Sequence, residues 1–311
     1  MISAPPPALA TFVRLTLLAE LALYVVVGAF LHARGVGIAA IVAGAAAFAL
    51  GGRFLWLLAT MAIAAHSDRP RDPEMPRTLG GVLRVALGEY RAVLANNFFY
   101  LPFDAVAARP DPQPASASRT PVILVHGYFS SRGYFRELLR FLDTQGVGPV
   151  FAPRFPGAFA TIEDFAEALD AEIERVVAGT GREQVILVCH SMGGLAARRY
   201  LARKGARRVA KLITIGSPHA GTGLAAYGMG ESAPQMRPDS AFLAELASCE
   251  AGRAPCETLS IYSTGDNLVS PRRSSRLGWA RNVALHDLGH VAMLSSPELH
   301  RVLLEELRQA R

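Results

Sequence analysis

The sequence predicts an α/β fold with a mostly parallel sheet, preceded by an N-terminal transmembrane helical hairpin. Strand-like and helical segments alternate from residue 121 to residue 311, which predicts the sheet. Two long apolar stretches lie within residues 1–66, and 51% of the 311 residues are hydrophobic, more than a soluble domain ordinarily carries. We therefore divide the chain into a hairpin at 1–66, a connector and linker at 67–120, and an α/β domain at 121–311.

The predicted hairpin consists of two apolar segments joined by a short turn at residues 32–35. Residues 8–31 contain only Arg14 and Glu20 as charges, and residues 36–52 contain none. A helix rising ~1.5 Å per residue needs about 20 such residues to cross a bilayer core. Glu20 lies deeper than the hairpin ends, and Arg53 is its predicted partner. A cleaved signal peptide followed by a buried helix is the alternative.

Charge and cysteine usage bear on which side of the membrane the α/β domain occupies. The positive-inside rule places both termini in the cytoplasm, because six arginines lie on the terminal side against Arg34 in the turn; they are Arg14, Arg53, Arg69, Arg71, Arg77 and Arg84. We therefore expect a multi-pass protein of the cell membrane, with the α/β domain leaning to the cytoplasmic side. Cys249 and Cys256 are spaced for a small disulfide loop in an oxidising compartment, and two unpaired thiols are the alternative.

The connector has three parts. Residues 67–76 are charged and rich in proline, as expected where a chain leaves the membrane. Residues 82–103 have helical spacing and end in an aromatic cluster at 97–103, which lies either at the bilayer interface or against the α/β domain. Residues 109–120, with three prolines, form a linker.

The α/β domain is predicted from segments of strand and helix periodicity. The predicted strands are 122–126, 149–152, 184–189, 209–215, 259–263 and 283–287, and the predicted helices are 134–144, 162–178, 195–204 and 297–309. About 190 residues suffice for one well-buried domain. Ligands of such sheets bind at the carboxyl ends of the strands, so the residues that follow each strand are the candidates for function.

Three chemistry-bearing side chains follow predicted strands in the order Ser191, Asp266, His290. Ser191 lies in Cys189-His190-Ser191-Met192-Gly193-Gly194, where a strand turns sharply into a helix. Such a turn exposes a serine hydroxyl, and Cys189 departs from the glycine of the G-x-S-x-G pattern. This chain order is that of a Ser-Asp-His triad. Asp287 is the rival acid; His126, His219 and His286 are assigned structural positions.

These motifs resemble those of bacterial triacylglycerol lipases and esterases of the α/β-hydrolase superfamily. The resemblance covers roughly residue 121 to the C-terminus and includes His126-Gly127, the serine turn, residues 215–222, 239–243 and 265–269, and His290 with the residues after it. It implies the α/β-hydrolase fold. The hairpin lies outside it and is not typical of the secreted members.

The motifs predict a serine-hydrolase mechanism. His290 acts as the base that activates Ser191, and Asp266 orients the imidazole and stabilises its charged form. The backbone N–H groups of Tyr128 and Met192 are the predicted oxyanion hole. Residues 221–255, inserted between two strands, are interpreted as a lid or an acyl-chain pocket, with an ordinary surface excursion as the alternative.

Composition argues against other classes. The net charge of +6 is spread along the chain rather than clustered, so nucleic acid is not an expected partner. No metal-ligand spacing or Gly-rich phosphate loop is present in the sequence, so we expect no metal and no cofactor.

We expect a membrane-anchored carboxylic ester hydrolase, a lipase or esterase, whose partners are the membrane and a lipid or ester substrate. The alternatives are a thioesterase or acyltransferase with the same triad, and a non-catalytic membrane scaffold that has kept the fold.

Overall fold

Two antiparallel helices form the N-terminal hairpin: α1 (Leu9–Ala33) and α2 (Ile38–Ser67). The computed structural model describes residues 9–68, 78–113, 116–157, 159–250, 252 and 254–309. Both helices are long and apolar enough to cross a membrane by length and composition, and almost none of their apolar surface is buried. Gly35, with φ +87°, supports the turn between them.

An ion pair joins the two hairpin helices. The guanidinium of Arg53 contacts both carboxylate oxygens of Glu20 at 3.0 Å and 2.7 Å, and the hydroxyl of Tyr24 donates to the same carboxylate at 2.5 Å. The predicted pairing of Glu20 with Arg53 is therefore confirmed. The apolar stretches on either side of Arg53 belong to one continuous helix, because the arginine is satisfied within the hairpin and does not interrupt it.

The connector folds onto the hairpin and onto the α/β domain. It contains α3 (Leu79–Ala95), a π-helical turn (Asn96–Tyr100) and α4 (Asp104–Ala107). Part of the aromatic cluster packs on the α/β domain, since Leu101 is buried and the Tyr100 hydroxyl lies 3.3 Å from Glu137. Phe99 and Phe103 are exposed, and their position at the bilayer interface stays a prediction. The predicted membrane exit at 67–76 falls almost wholly outside the described residues.

Six parallel strands form one sheet in the order β2-β1-β3-β4-β5-β6. The bounds are β1 (Val122–Val125), β2 (Val150–Phe151), β3 (Val185–His190), β4 (Val209–Ile215), β5 (Glu257–Ser263) and β6 (Arg281–Leu285). Every described pairing is parallel. The predicted α/β fold is confirmed.

Helices cover both faces of the sheet. These helices are α5 (Arg136–Thr144), α6 (Ile162–Thr180), α7 (Met192–Lys204) and α10 (Pro297–Gln309). The insertion adds α8 (Ser232–Gln235) and α9 (Ala241–Glu250), and α9 packs on α7. Residues of β1 alternate between the two apolar layers: Val122 and Leu124 pack with α5 and α10, whereas Ile123 and Val125 pack with α6 and α7.

The structure corrects several predicted bounds. β2 has only two residues, and β6 ends at Leu285, so His286 lies after the strand and not in it. Helix α7 begins at Met192, three residues earlier than predicted, although Gly193 and Gly194 are poor helix formers. Close packing against β1 explains the glycine at position 193, because a Cβ there would lie 2.6 Å from the carbonyl oxygen of Val125. Cys249 and Cys256 are separate thiols in this structure.

The chain has two lysines, and they provide a matched test of the core. Lys211 on β4 is buried and contacts Glu306 at 2.6 Å and Glu257 at 2.7 Å, whereas Lys204 pairs with Asp170 at the surface. We expect Lys211→Met to lower the free energy of unfolding by about 3 kcal/mol, because it leaves a buried carboxylate short of a partner.

The control variant Lys204→Met removes an exposed pair and is expected to cost under about 1 kcal/mol. Denaturant unfolding of the full-length protein in detergent, followed by circular dichroism, measures both. Equal losses in the two variants would contradict the role assigned to Lys211.

Candidate active site

Ser191 occupies the tight turn between β3 and α7. Its backbone has φ 56° and ψ −129°, a strained conformation for a residue with a side chain and one that recurs at functional sites. The N–H of Ser191 donates to the carbonyl of Ile215 at 2.9 Å, and its own carbonyl accepts the N–H of Gly194 at 3.0 Å. The neighbouring strand and the following helix therefore both hold the turn in place.

Small and apolar residues surround this turn. A Cβ on Gly127 would lie 2.7 Å from the Cβ of Ser191, so only glycine permits the approach of that loop. Cys189, the departure from the expected glycine, is fully buried in the apolar layer of α6 and α7. Burial raises the pKa of its thiol well above the ordinary value, so it is an inert core residue.

His290 and Asp266 form a buried pair at the same edge of the sheet. Nδ1 of His290 lies 2.8 Å from Oδ2 of Asp266. The other oxygen, Oδ1, accepts the N–H groups of Leu268 at 2.8 Å and Val269 at 2.9 Å. The N–H of His290 donates to Oδ1 of Asn267 at 3.2 Å, which fixes the backbone of the histidine as well.

Burial and pairing act in opposite directions on the pKa values of this pair. Burial disfavours both charged forms, but the attraction and hydrogen bond between the groups outweigh it. The pKa of Asp266 is therefore lowered, and the pKa of His290 is raised. An ionised Asp266 keeps the proton on Nδ1 of neutral His290, which leaves Nε2 as an acceptor.

The sheet places the three predicted residues together. Ser191 follows β3, Asp266 follows β5 and His290 follows β6, and Ser191 and His290 line one cavity. Gly216, which follows β4 with φ 55°, allows close packing, since a Cβ there would lie 3.3 Å from both Asp266 Oδ2 and His290 Nδ1. The rival acid, Asp287, contacts Arg84 of α3 at 3.2 Å.

Two other histidines occupy structural positions. His126 is buried, and its Nδ1 lies 3.2 Å from the carbonyl oxygen of Gly127, at the turn that it was predicted to brace. Burial lowers its pKa to about 4. His219 is buried between Arg198 and Thr214, at 3.3 Å and 3.0 Å, and burial lowers its pKa well below the ordinary value.

The loop of Tyr128 rests on the turn at Ser191. A Cβ on Gly127 would lie only 3.0 Å from the backbone nitrogen of Met192, so the residue before Tyr128 packs closely against the start of α7. The Tyr128 hydroxyl lies 2.7 Å from both the N–H and the carbonyl of Met229. The loop is thereby tied to the insertion at 221–255.

A cavity of about 470 Å³ opens beside Ser191 and His290. Its wall is mostly apolar, and its volume lies in the ~300–1,000 Å³ range of small-molecule sites. Part of the insertion lines it, through Leu224, Ala225, Tyr227, Met229 and Met236. The insertion is thus a pocket wall in this structure, and movement as a lid stays a prediction. Within the described ranges, no group of three or more potential metal ligands occurs.

Sequence reasoning missed Glu89, a fully buried carboxylate on α3. It accepts the N–H groups of Val291 at 3.0 Å and Ala292 at 2.9 Å, directly after His290. Burial raises the pKa of Glu89 to about 7, against the lowering effect of these bonds. The sequence offers one indication of this position. Glu89 lies four residues after the apolar Val85, so the two share one face of a helix, and in the structure both are buried.

The second hairpin helix also contacts the loop after β5. Thr60 accepts a hydrogen bond from the side-chain amide of Asn267 at 3.0 Å. Asp68, at the end of α2, pairs with Arg272 at 2.5 Å, and Nε of Arg272 donates to the carbonyl of Asp266 at 2.6 Å. The contacts of Thr60 and Asp68 join positions more than 200 residues apart, and no local motif in the sequence predicts them.

The parallel sheet, with helices on both faces, has the architecture of the α/β-hydrolase fold. Residues 120–250 match the family model of the α/β-hydrolase fold. The mature lipase BlEst2 of Bacillus licheniformis superposes with a TM-score of 0.55 at 17% identity, over 63% of this chain and 96% of that one. Aspergillus fumigatus lipase B gives 0.53 at 15% identity, over 80% and 85%. At these identities the likeness concerns the fold.

Sequence relatives agree with the fold. The lysosomal thioesterase PPT2 of Rattus norvegicus is 32% identical over 129 residues, which are 39% of this chain and 41% of the relative. A triacylglycerol lipase of Pseudarthrobacter phenanthrenivorans is 34% identical over 121 residues, 36% and 37% of the two chains. The chain thus spans about two fifths of these relatives. The chain has the α/β-hydrolase fold, and the predicted resemblance to lipases and esterases with this fold is confirmed.

The contact of Glu89 with the His290 loop predicts an electrostatic effect. The charge of Glu89 raises the pKa of His290, so Glu89→Gln is expected to lower that pKa. Histidine NMR signals of the full-length protein, followed against pH, measure the change, and His290→Ala assigns the signal among eight histidines.

The matched control is Asp287→Asn, which removes a partly exposed carboxylate close to His290 in sequence and is expected to leave the pKa of His290 in place. An unchanged His290 pKa in Glu89→Gln would contradict the electrostatic coupling.

Proposed function

We propose that this protein is a membrane-anchored serine hydrolase that cleaves carboxylic esters, with lipid esters as its substrates. The observation that carries the proposal is the buried His290–Asp266 pair, which lies at the same cavity as Ser191 on its strained turn. A serine, a histidine and a carboxylate in these positions of an α/β hydrolase support acyl transfer through the serine.

The proposed mechanism assigns a role to each of these residues. Nε2 of His290 accepts the proton of the Ser191 hydroxyl as its oxygen attacks the acyl carbon, and ionised Asp266 stabilises the imidazolium. The N–H groups of Tyr128 and Met192 donate to the oxyanion. His290 then gives the proton to the leaving alcohol, which departs and leaves an acyl-enzyme. Water, activated by His290, hydrolyses this ester and restores the serine.

Lipid substrates and membrane anchoring have separate support. The cavity wall is mostly apolar, and relatives over this part of the chain include triacylglycerol lipases. The hairpin helices leave almost all of their apolar surface uncovered, which a bilayer would bury. The arginines near the terminal end of the hairpin favour a cytoplasmic catalytic domain.

The proposed mechanism requires both Ser191 and His290. We expect Ser191→Ala and His290→Ala each to lower the turnover of p-nitrophenyl esters at least about 10³-fold, because each removes the nucleophile or its base. A fluorophosphonate probe should label the wild type and fail to label Ser191→Ala.

Ser217→Ala, a buried serine on a neighbouring loop, is the matched control and should keep both labelling and turnover. A folded wild-type protein that neither reacts with the probe nor hydrolyses esters would overturn the proposed function and favour the scaffold alternative.

A thioesterase is the second candidate, favoured by the similarity to PPT2 thioesterases. The same serine attacks either carbonyl, so substrate preference decides between the two. For a matched pair of decanoyl substrates, we expect kcat/KM of the oxygen ester to exceed that of the thioester. The reverse preference would assign the chain to thioester hydrolysis.

A further inference from the structure

Part of the cavity wall comes from the N-terminal hairpin. Val13 of α1 and Trp56, Leu57 and Thr60 of α2 line the same cavity as Ser191. The buried residues of α2 are Leu57, Thr60 and Ala64, which share one helix face. That face is turned toward the α/β domain, where Thr60 meets Asn267. An anchor alone would not need to reach the nucleophile's cavity.

The hairpin residues of the cavity lie at a defined depth. Leu57 is about 28 Å along the axis from Ile38, where α2 begins, and Val13 is about 30 Å from the opposite end of α1. These lengths match the ~30 Å hydrocarbon core of a bilayer. With the interhelical turn at one face of the membrane, the cavity wall therefore lies at the opposite hydrocarbon boundary. The ester groups of bilayer lipids occupy this level.

The mouth of the cavity is apolar and faces outward. Trp56, Tyr227 and Met229 line the cavity, yet each is more than half exposed, at 58%, 69% and 54%. Trp56 belongs to a proposed membrane-spanning helix, and the segment that ends at Tyr227 contacts α2. The opening is therefore bordered on one side by a surface that the bilayer covers.

Helix α3 presents a second apolar surface. Leu79, Leu83 and Leu87 are exposed on α3, while Glu89 on another face reaches the His290 loop. Tyr90 of α3 donates to the carbonyl of Leu50 in α2 at 2.8 Å. An amphipathic helix in this position fits the bilayer interface. Its exposed leucines enlarge the apolar surface around the mouth of the cavity.

We propose that the hairpin supplies one wall of the acyl-chain site and that the substrate is an acyl ester of a lipid resident in the same bilayer. The lipid enters past Trp56 from the hydrocarbon side, and its acyl chain lies against Leu57. The proposal rests on the proposed ester hydrolysis at Ser191 and adds where the substrate comes from. The acyl chain then passes from lipid to protein without crossing water.

Chain-length selectivity tests the wall. The full-length protein in nanodiscs is assayed with p-nitrophenyl palmitate and butyrate. Leu57→Trp places a larger side chain in the cavity beside the acyl chain. We expect this variant to lower the ratio of kcat/KM for palmitate to kcat/KM for butyrate at least tenfold. Leu57→Ala widens the same position and should raise the ratio. Opposite signs at one position separate a pocket effect from loss of folding.

The matched control is Leu55→Trp, the same substitution two residues away on an exposed position of α2. It should leave the ratio unchanged. Fluorophosphonate labelling of every variant reports the serine chemistry independently. Wild type that fails to label would overturn the proposed function, whereas labelled variants with an unchanged ratio would overturn only the hairpin wall.

Entry from the bilayer is tested with a fluorogenic diacylglycerol ester. The full-length protein is reconstituted in vesicles that contain this lipid, or mixed with separate vesicles that contain it. We expect hydrolysis at least tenfold faster in the shared bilayer. Equal rates in the two arrangements, with labelling intact, would show delivery through water and would overturn entry from the membrane.

Discussion

The buried contact between Asp266 and His290 is the interaction on which the rest of the site depends. An ionised carboxylate inside a protein costs several kcal/mol unless its oxygens are paired. Here Oδ2 faces Nδ1 of His290, and Oδ1 accepts two backbone N–H groups. The close approach of the two side chains to the loop after β4 also requires a residue without a Cβ there, and Gly216 occupies that position. The loops after β4, β5 and β6 are therefore all held in place by their contacts around the Asp266 carboxylate.

The loops that carry Asp266 and His290 are also where the N-terminal helices meet the α/β domain. The guanidinium of Arg272 lies between the carbonyl of Asp266 and the carboxylate of Asp68 at the end of α2. Glu89 of α3 holds the N–H groups that follow His290. The connector and the hairpin, which precede the α/β domain in the chain, thus support both loops of the pair. Because these helices contact the loops of the active site, they also line part of its cavity.

Local patterns in the sequence predicted much of this structure. Strand and helix periodicity predicted the elements of the α/β domain in their order along the chain. The turn at Ser191 was apparent because strand, small residues and helix lie within a few positions. The need of a charge within an apolar hairpin for an opposite charge predicted Arg53 as the partner of Glu20, and the structure confirms the pair. The bounds differed where packing overrides propensity, as at Gly193 in the first turn of α7.

The missed features are all long-range. Glu89 lies on a helix with no motif of its own, and its partners are about 200 residues away. The contact of Thr60 with Asn267 joins a helix predicted to span the membrane to a loop of the sheet. Periodicity assigns a residue to a face but does not say which distant surface covers that face, so the joint wall of the cavity was not predictable from the sequence.

The most direct test of this account is the structure of the full-length protein in nanodiscs after reaction with a hexadecyl fluorophosphonate. The account predicts phosphorus bonded to Oγ of Ser191, its oxygen near the N–H groups of Tyr128 and Met192, and the alkyl chain against Leu57. An adduct on Ser191 whose chain leaves the hairpin untouched, or no adduct on that serine, would contradict it.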